Sequence, residues 1–365
     1  MKPARIAVVG VGNNISALVQ GVQLYREMAR RDPNAELPGV SRADLGGLHV
    51  TDLDFVAAFD VARGKVGLPL REAVFAAPNN YPRIVSEITV GEVRVSSGVV
   101  LDGVPPHLAD VVDPIAADRT IDDVADDISA SGAEVLLYSL PTGSRNAVRF
   151  YAECAIRAGV AFVNCTPDFI ARDPDMAEKF ARAGVPVVGD DLASHIGSSV
   201  VHRTLLELVA GRGLQIERSY QVNLGGNADF KNLLVRGDTK KQSKHNALGA
   251  MSAETVSVVP SGGFLPVLGD QKVGYIHVEA KGWGGVPATL ELKLTVQDSS
   301  NAAGVIVDLV RIAALAHRAG HAGPVEGAGS LLKSPPLGDL DVSPAALDRQ
   351  CDAFVKQLDQ LGGLS

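Results

Sequence analysis

Five cations gather between positions 231 and 244: Lys231, Arg236, Lys240, Lys241 and Lys244. The chain as a whole carries a net charge of −8, so this local excess needs a cause. The stretch opens with Gly225, Gly226 and Asn227, residue types that let the backbone turn and present N–H groups. Asp229 and Asp238 are its carboxylates. A helix over its last part puts Lys240 and Lys244 one turn apart on one face. Two ammonium groups there repel unless an anion sits between them, and a phosphate satisfies both. Arg236 falls on the outer side of the turn. The alternative reading is a solvated basic turn.

The elements around this stretch decide between the two. Residues 5–9 (RIAVV) read as a buried strand, 10–14 (GVGNN) as a glycine turn and 15–30 as a helix. Strand, glycine turn and helix form the first half of a dinucleotide-binding unit, in which pyrophosphate approaches the backbone and the helix N-terminus. The third glycine of the usual fingerprint is replaced by Ile15. A second strand over 54–59 ends in Asp60. A carboxylate there accepts hydrogen bonds from ribose hydroxyls and repels a 2′-phosphate, which favours NAD over NADP.

Residues 61–120 read as a loop-rich surface excursion. A helix over 120–131, a strand over 134–140 and a helix over 145–158 follow. Between the last two, Pro141, Thr142, Gly143 and Ser144 form a strand-to-helix loop of the kind that binds ligands in open α/β sheets. Strands over 160–164 and 185–188 continue the alternation, which specifies a Rossmann-type, doubly wound parallel sheet. After a helix over 197–212 the pattern changes. Strands read over 216–224, 253–259, 272–282 and 286–297, the last with period-two alternation that marks a sheet with one open face. Such a face is often covered by a second subunit, which implies an oligomer. Residues 298–301 (DSSN) cap a helix over 301–319, and an amphipathic helix lies near 344–361.

At 365 residues the chain is long enough for two domains. Its acidic balance argues against nucleic acid as a partner. No run reads as a membrane span, and Cys154, Cys165 and Cys351 have neither disulfide nor metal spacing, so the chain reads as cytoplasmic.

The segments GVGNNISALVQG, FVAAFDV, VGDD, GGNADFKN, KKxSK (Lys240 to Lys244), GDQK, DSSNAAGVIVD and LLKSPP resemble, in order and over nearly the whole chain, the shorter prokaryotic form of the myo-inositol-phosphate synthase family. The resemblance implies an NAD-binding Rossmann domain over 1–198, completed by 299–365. It implies an inserted α+β sheet domain over 199–298 that carries catalysis and builds a homotetramer. The implied reaction is cyclisation of glucose 6-phosphate to an inositol phosphate: oxidation at C5, enolisation at C6, attack on C1, and reduction by the same NADH.

Carried over residue by residue, Lys240, Lys244, Lys272 and Lys333 match catalytic lysines, with Lys244 also near the phosphate. Asp191, Asp229 and Asp298 match acidic residues that position lysines or relay protons. Ser194, Gly226 and Asn227 match substrate positions. Gly10, Gly12, Asn13, Asn14, Asp60, Ser139, Pro141, Thr142, Gly143 and Asp190 match cofactor positions. Relatives use a divalent metal or a monovalent ion, and Asp190, Asp191 and Asp298 could serve either. Without the resemblance, Lys333 reads as a surface turn residue, Lys272 as a strand-edge lysine and Asp298 as a helix cap.

The chain departs from the family at Ala193, where a lysine is usual, and at His195, Ser300 and residues 165–168 (CTPD). Loss of that lysine brings forward a second substrate, fructose 6-phosphate, closing a five-membered ring by attack on a C2 ketone. A simple NAD-dependent sugar-phosphate dehydrogenase is a further alternative, but hydride transfer alone needs one acid/base and not four lysines. A non-catalytic NAD-binding regulator would be expected to lack those lysines.

Overall fold

A computed structural model describes residues 1–249, 255–336 and 344–360, apart from the side chains of 344, 345 and 347. Seven strands form one parallel sheet. In chain order they are β1 (Ala4–Val9), β2 (Leu53–Asp60), β3 (Val95–Ser97), β4 (Val135–Tyr138), β5 (Ala161–Asn164), β6 (Pro186–Val188) and β11 (Gly323–Pro324). The spatial order is β11-β6-β5-β4-β1-β2-β3. The order reverses at β1, so a crevice opens beyond the carboxyl ends of β1 and β4, where open α/β sheets bind ligands.

Helices cover both faces, which is why these strands are continuous apolar runs. Helices α2 (Ile121–Ser131), α3 (Arg145–Ala158) and α4 (Pro174–Ala183) close one face over Leu136, Tyr138 and Phe162. Helix α1 (Asn13–Arg31) and the long α8 (Asp298–Arg318) close the other over Ile6, Val8, Leu137 and Val163. Helix α2 starts on a capping box, Thr120 with Asp123. Helix α3 has no side-chain cap of its own; Asp102, from a distant loop, accepts hydrogen bonds from the amides of Asn146 and Ala147.

The second sheet has the order β8-β7-β9-β10, with β7 (Gln215–Gly225), β8 (Val256–Phe264), β9 (Gln271–Lys281) and β10 (Pro287–Gln297). Strand β8 runs parallel to β7, and the other pairs are antiparallel. A parallel neighbour needs a crossover. Here it carries α6 (Ala228–Leu233) and α7 (Asp238–Leu248). The inner face, Val256, Val258, Ile276 and Val278, packs on α5 (Ser198–Gly211) and Leu248 of α7. The outer face presents Tyr220, Tyr275 and His277. Leu290, Leu292 and Leu294 alternate as expected but lie on the helix-covered side, opposite Val278, Ile276 and Gly274.

Several expectations need correction. Residues 61–120 are not a surface excursion: they supply β3, bury Leu70, Val74 and Leu108, and wall the crevice. Elements of three or four residues leave no periodicity to detect. Strand β11 is two residues long and was missed for the same reason. Asp298 is the first residue of α8 and not a cap; the main-chain carbonyl and carboxylate of Asp270 receive the amides of Asp298 and Ser299. Helix α8 does reach the length and apolarity of a membrane span, with a mean hydropathy of 1.4 over its best window. It is the core helix between sheet and α1, and 78% of that window is buried. The expected strand over 253–259 begins at Val256; residues 253–254, and position 361 of the last helix, lie outside the described residues. That helix, α9, runs Pro344–Gln360.

Within α8, Arg311 is wholly buried and bound to Asp308, and it donates to the carbonyls of Arg42, Ala43 and Leu48. Arg311→Ala leaves a buried carboxylate with only the Ser41 hydroxyl and three carbonyls without their donor. The expected loss in urea unfolding is about 3–5 kcal/mol. A loss below about 1 kcal/mol would show that the pair is not the anchor described.

Candidate active site

The crevice begins at the glycine turn. Gly10 has φ +85°, and a Cβ there would lie 2.7 Å from the carbonyl oxygen of Ser139, so only glycine lets β1 turn this close to β4. Asp60 closes the far side. Its oxygens accept the amides of Val11 (2.7 Å) and Ala62 (2.8 Å). Beneath them Lys65 is buried, donating to the Val11 carbonyl (2.6 Å) and to Asn79 (2.8 Å), 4.0 Å from Asp60. Burial pulls the Lys65 amine down against the attraction of Asp60. Asn14 donates to Ser139 (3.1 Å), and Asn13 bridges Asn80 and Asp270. This cradle fits a dinucleotide: a side-chain-free turn for pyrophosphate at the start of α1 and a carboxylate at the ribose position.

The lysines arrive from the second sheet. Asn227, at the end of β7, caps α6 by accepting from the amide of Phe230 (3.2 Å). Gly226 fits beneath the loop 265–269, where a Cβ would meet carbonyl oxygens at 2.6 Å. Asp229 accepts the amide of Thr142 (3.1 Å), tying α6 to the loop after β4. Helix α7 then presents Lys240, Ser243 and Lys244 on one face, as the spacing predicted.

These side chains meet Asp191, which follows β6. Its carboxylate is fully buried. One oxygen receives Lys240 (2.9 Å) and Lys333 (3.2 Å), the other Ser243 (2.7 Å). Asp191 has φ +57°, a left-handed conformation held by its amide on Thr166 and by its carbonyl, which accepts from Lys333 N–H. Burial alone would raise its pKa, but the two cations outweigh it and bring it to about 2.

The four lysines then divide. Burial opposes the charge of Lys240, but Asp191 and Asp229 overcome it and hold the ammonium above its ordinary range. Lys272, on β9, pairs with Asp298 at 3.4 Å. Among the described residues Lys244 bonds to neutral partners, Ser198 (2.9 Å) and Gln221 (3.0 Å). Burial, then repulsion from Lys272, Lys333 and Lys240, pushes it well below the usual range. Lys333, despite Asp191, is brought down by burial to about 7.

One cavity is lined by Gly10, Gly12, Asn13, Asn14 and Asp60, by Ser139, Pro141 and Thr142, and by Ser194, Asn227, Asp229, Asp298 and all four lysines. Asp191 lies behind the lysines. Gly226 and Gly143 stand outside the wall, Gly143 donating its amide to Asp168 (2.8 Å). Asp190 also faces away. It is fully buried and accepts from Asn164 and the amides of Ile170, Ala171 and Arg172, and burial raises it to about 6. Arg236 is not on the outer side of its turn: it donates to the carbonyl of Asp102 (2.7 Å) and packs under Gly143. Lys333 is no surface turn residue. Among the described residues no three His, Cys, Asp or Glu side chains converge as a metal site. Asp190 and Asp191 have their oxygens occupied by protein donors, and Asp298 pairs with Lys272.

Sequence reasoning missed Lys65, Gln221, Ser198 and Asp270. Only Asp270 carried a signal, two residues before Lys272 within GDQK; it accepts from Ser299, Gln297, Asn13 and Asn227 and so joins both sheets.

Residues 197–299 match the model of the myo-inositol-1-phosphate synthase family. The inositol-3-phosphate synthase of Mycolicibacterium smegmatis is 44% identical over 358 residues, spanning 94% of this chain and 96% of that protein. That of Corynebacterium glutamicum is 42% identical over 345 residues, spanning 91% and 93%. The crystal structure of Ari2 is 46% identical and superposes over 99% of both chains with a TM-score of 0.82.

The division among the lysines predicts a titration. Lys333, ordinarily at 10.5, should lose its proton near pH 7 when followed by NMR of labelled lysine. Asp191 supplies the charge that opposes this fall, so Asp191→Asn should move the midpoint lower still. A Lys333 midpoint near 10 in the wild type would contradict the geometry.

Proposed function

The chain belongs to the inositol-3-phosphate synthase family, and from that membership we propose that it cyclises glucose 6-phosphate to an inositol phosphate, using NAD that is regenerated in each turnover. It is an enzyme of the isomerase class, acting as an intramolecular lyase. The observation that carries the reading is the convergence of four lysines: Lys240 and Lys333 on the buried Asp191, Lys272 on the half-buried Asp298, and Lys244 on neutral partners.

Bound NAD supplies the oxidant that accepts hydride from C5 and later returns it to the ring ketone. The chain's own residues move protons and hold charge. Gly10, Gly12, Asp60 and the loop 139–142 hold the cofactor, with Asp60 favouring NAD over NADP. Lys240, kept cationic by Asp191, and Lys272, paired with Asp298, attract the phosphate and stabilise the oxyanion that develops when a C6 proton is removed beside a C5 carbonyl. Lys333, brought to about 7, and Lys244, pushed well below its ordinary range, serve as proton acceptors, the role general base catalysis requires. Ser194, Asn227 and Asp229 line the sugar's side of the cavity. The Rossmann part, residues 1–198 with 299–365, holds the cofactor; residues 199–298 supply the crossover lysines.

A second reading has one observation in its favour. Ala193 stands where the family carries a lysine, between the cavity residues Leu192 and Ser194. With one cation fewer, fructose 6-phosphate closing to a five-membered ring becomes the alternative substrate. We further propose a homotetramer, supported by the open sheet face with Tyr220 43% and Tyr275 42% exposed. A cytoplasmic location accords with three cysteines that are all free and buried.

Three measurements test this. NMR of the product from each sugar phosphate should show an inositol phosphate from glucose 6-phosphate; a five-membered ring from fructose 6-phosphate alone selects the second reading, and accumulating NADH would make the protein a dehydrogenase. Lys244→Ala should lower turnover at least ~10²-fold with NAD affinity nearly unchanged. Cyclisation at the wild-type rate by that variant would remove the lysines from the chemistry. Light scattering should report four subunits at micromolar concentration, and a monomer would refute the assembly.

A further inference from the structure

A line of buried polar groups runs behind Lys244 along the inner face of the second sheet. Ser219 on β7 donates its hydroxyl hydrogen to the carbonyl of His277 on β9, at 2.7 Å. A hydroxyl has one hydrogen, so toward His202 of α5, whose Nε2 lies 2.6 Å away, Ser219 can only accept. His202 therefore carries its proton on Nε2. Burial, reinforced by Lys244 and His245, lowers the imidazole to about 4, so the ring is neutral near pH 7. Its Nδ1 is then a bare acceptor, and Gln221 Nε2 lies 3.2 Å from it. That bond fixes the Gln221 amide with Oε1 toward Lys244 Nζ, at 3.0 Å. Ser198 Oγ, at 2.9 Å, is the second neighbour. His202, Ser219, Gln221 and Ser198 are all buried.

The two acceptors fix the position of the Lys244 nitrogen. A neutral amine has two hydrogens and one lone pair. Gln221 Oε1 and Ser198 Oγ take the two hydrogens, leaving the lone pair free. Neither acceptor opposes an ammonium; burial and the neighbouring lysines do. The charged groups around Lys244 are Lys240 on its own helix, Lys272 from β9, Lys333 from the segment after α8, and Asp191 after β6, with His245 beside it in α7. Asp229 and Asp298 line the same cavity, and the oxygens of Asp191 bind Lys240, Lys333 and Ser243.

We infer that His202 and Gln221 are positioning residues for the cyclisation proposed above: the Nε2–H tautomer of His202 turns the Gln221 carbonyl oxygen toward Lys244 and fixes where the lysine nitrogen stands in the cavity. The inference rests on the proposed reaction for its purpose. The tautomer and the amide orientation rest on hydrogen-bond direction alone.

The test uses the full chain with NAD bound. First, NMR of ¹⁵N-labelled histidine at pH 7 should show His202 neutral and protonated on Nε2; an Nδ1–H tautomer or an imidazolium overturns the inference. Second, Gln221→Glu keeps the shape and places a carboxylate against Lys244. An opposite charge in contact raises the lysine by at least ~1 pH unit. The acid limb of the kcat profile should move up by that much, and kcat at pH 7 should fall about tenfold with KM little changed. NMR of labelled lysine reads the same shift without turnover. A variant whose profile and lysine midpoint stay in place refutes the role. Absence of any cyclised product, with His202 protonated on Nε2 and the lysine shift present, refutes the assigned reaction and leaves the relay standing.

Discussion

A carboxylate with no access to water must be neutralised where it stands, or its burial becomes prohibitive. Asp191 meets that condition by binding Lys240, Lys333 and Ser243 at once. Those partners come from α7 and from the segment after α8, so one charge fixes three distant parts of the chain at a common point. Removing it would leave like charges facing each other across the crevice. The left-handed backbone at Asp191, of a kind that costs about 1–3 kcal/mol, is held by hydrogen bonds to Thr166 and Lys333.

The same constraint sorts the lysines by function. Electrostatics alone would place four equivalent ammonium groups in one cavity, and such a set can bind phosphate but cannot take a proton. Asp191 and Asp298 break the equivalence. Asp191 holds the charge on Lys240, while burial and the neighbouring lysines push Lys244, bonded to a serine and a glutamine, the other way. The parallel pairing of β7 and β8 makes this possible, because the crossover it requires carries α7 into the crevice beside the glycine turn. Asp270 locks the two sheets together there through Asn13 on one side and Asn227 on the other.

Much of this was legible in the sequence. Buried parallel strands betray themselves as short apolar runs, and helix α3 was read to the residue, 145–158. The Lys240 to Lys244 spacing gave one helical face because that follows from 3.6 residues per turn. Pairings across long sequence separations were not legible. Nothing in the local pattern said that Asp190 would turn inward to organise the 164–172 loop while its neighbour Asp191 met the lysines. Arg236 looked like an outer residue because the 102 and 143 loops that it binds are over ninety positions away. His202 and Gln221 sit on elements read correctly, yet as isolated polar residues on an inner face they gave no sign of belonging to one hydrogen-bonded line.

The central claim is that the lysine cluster removes a proton from C6 of the sugar within this cavity. Glucose 6-phosphate carrying two deuterium atoms at C6 tests it directly when the product is read by mass spectrometry. The account predicts an inositol phosphate that retains one of the two deuterium atoms, the other having passed through a lysine to solvent. A product that keeps both would mean that C6 is never deprotonated, and the arrangement around Asp191 would then have to serve some other chemistry.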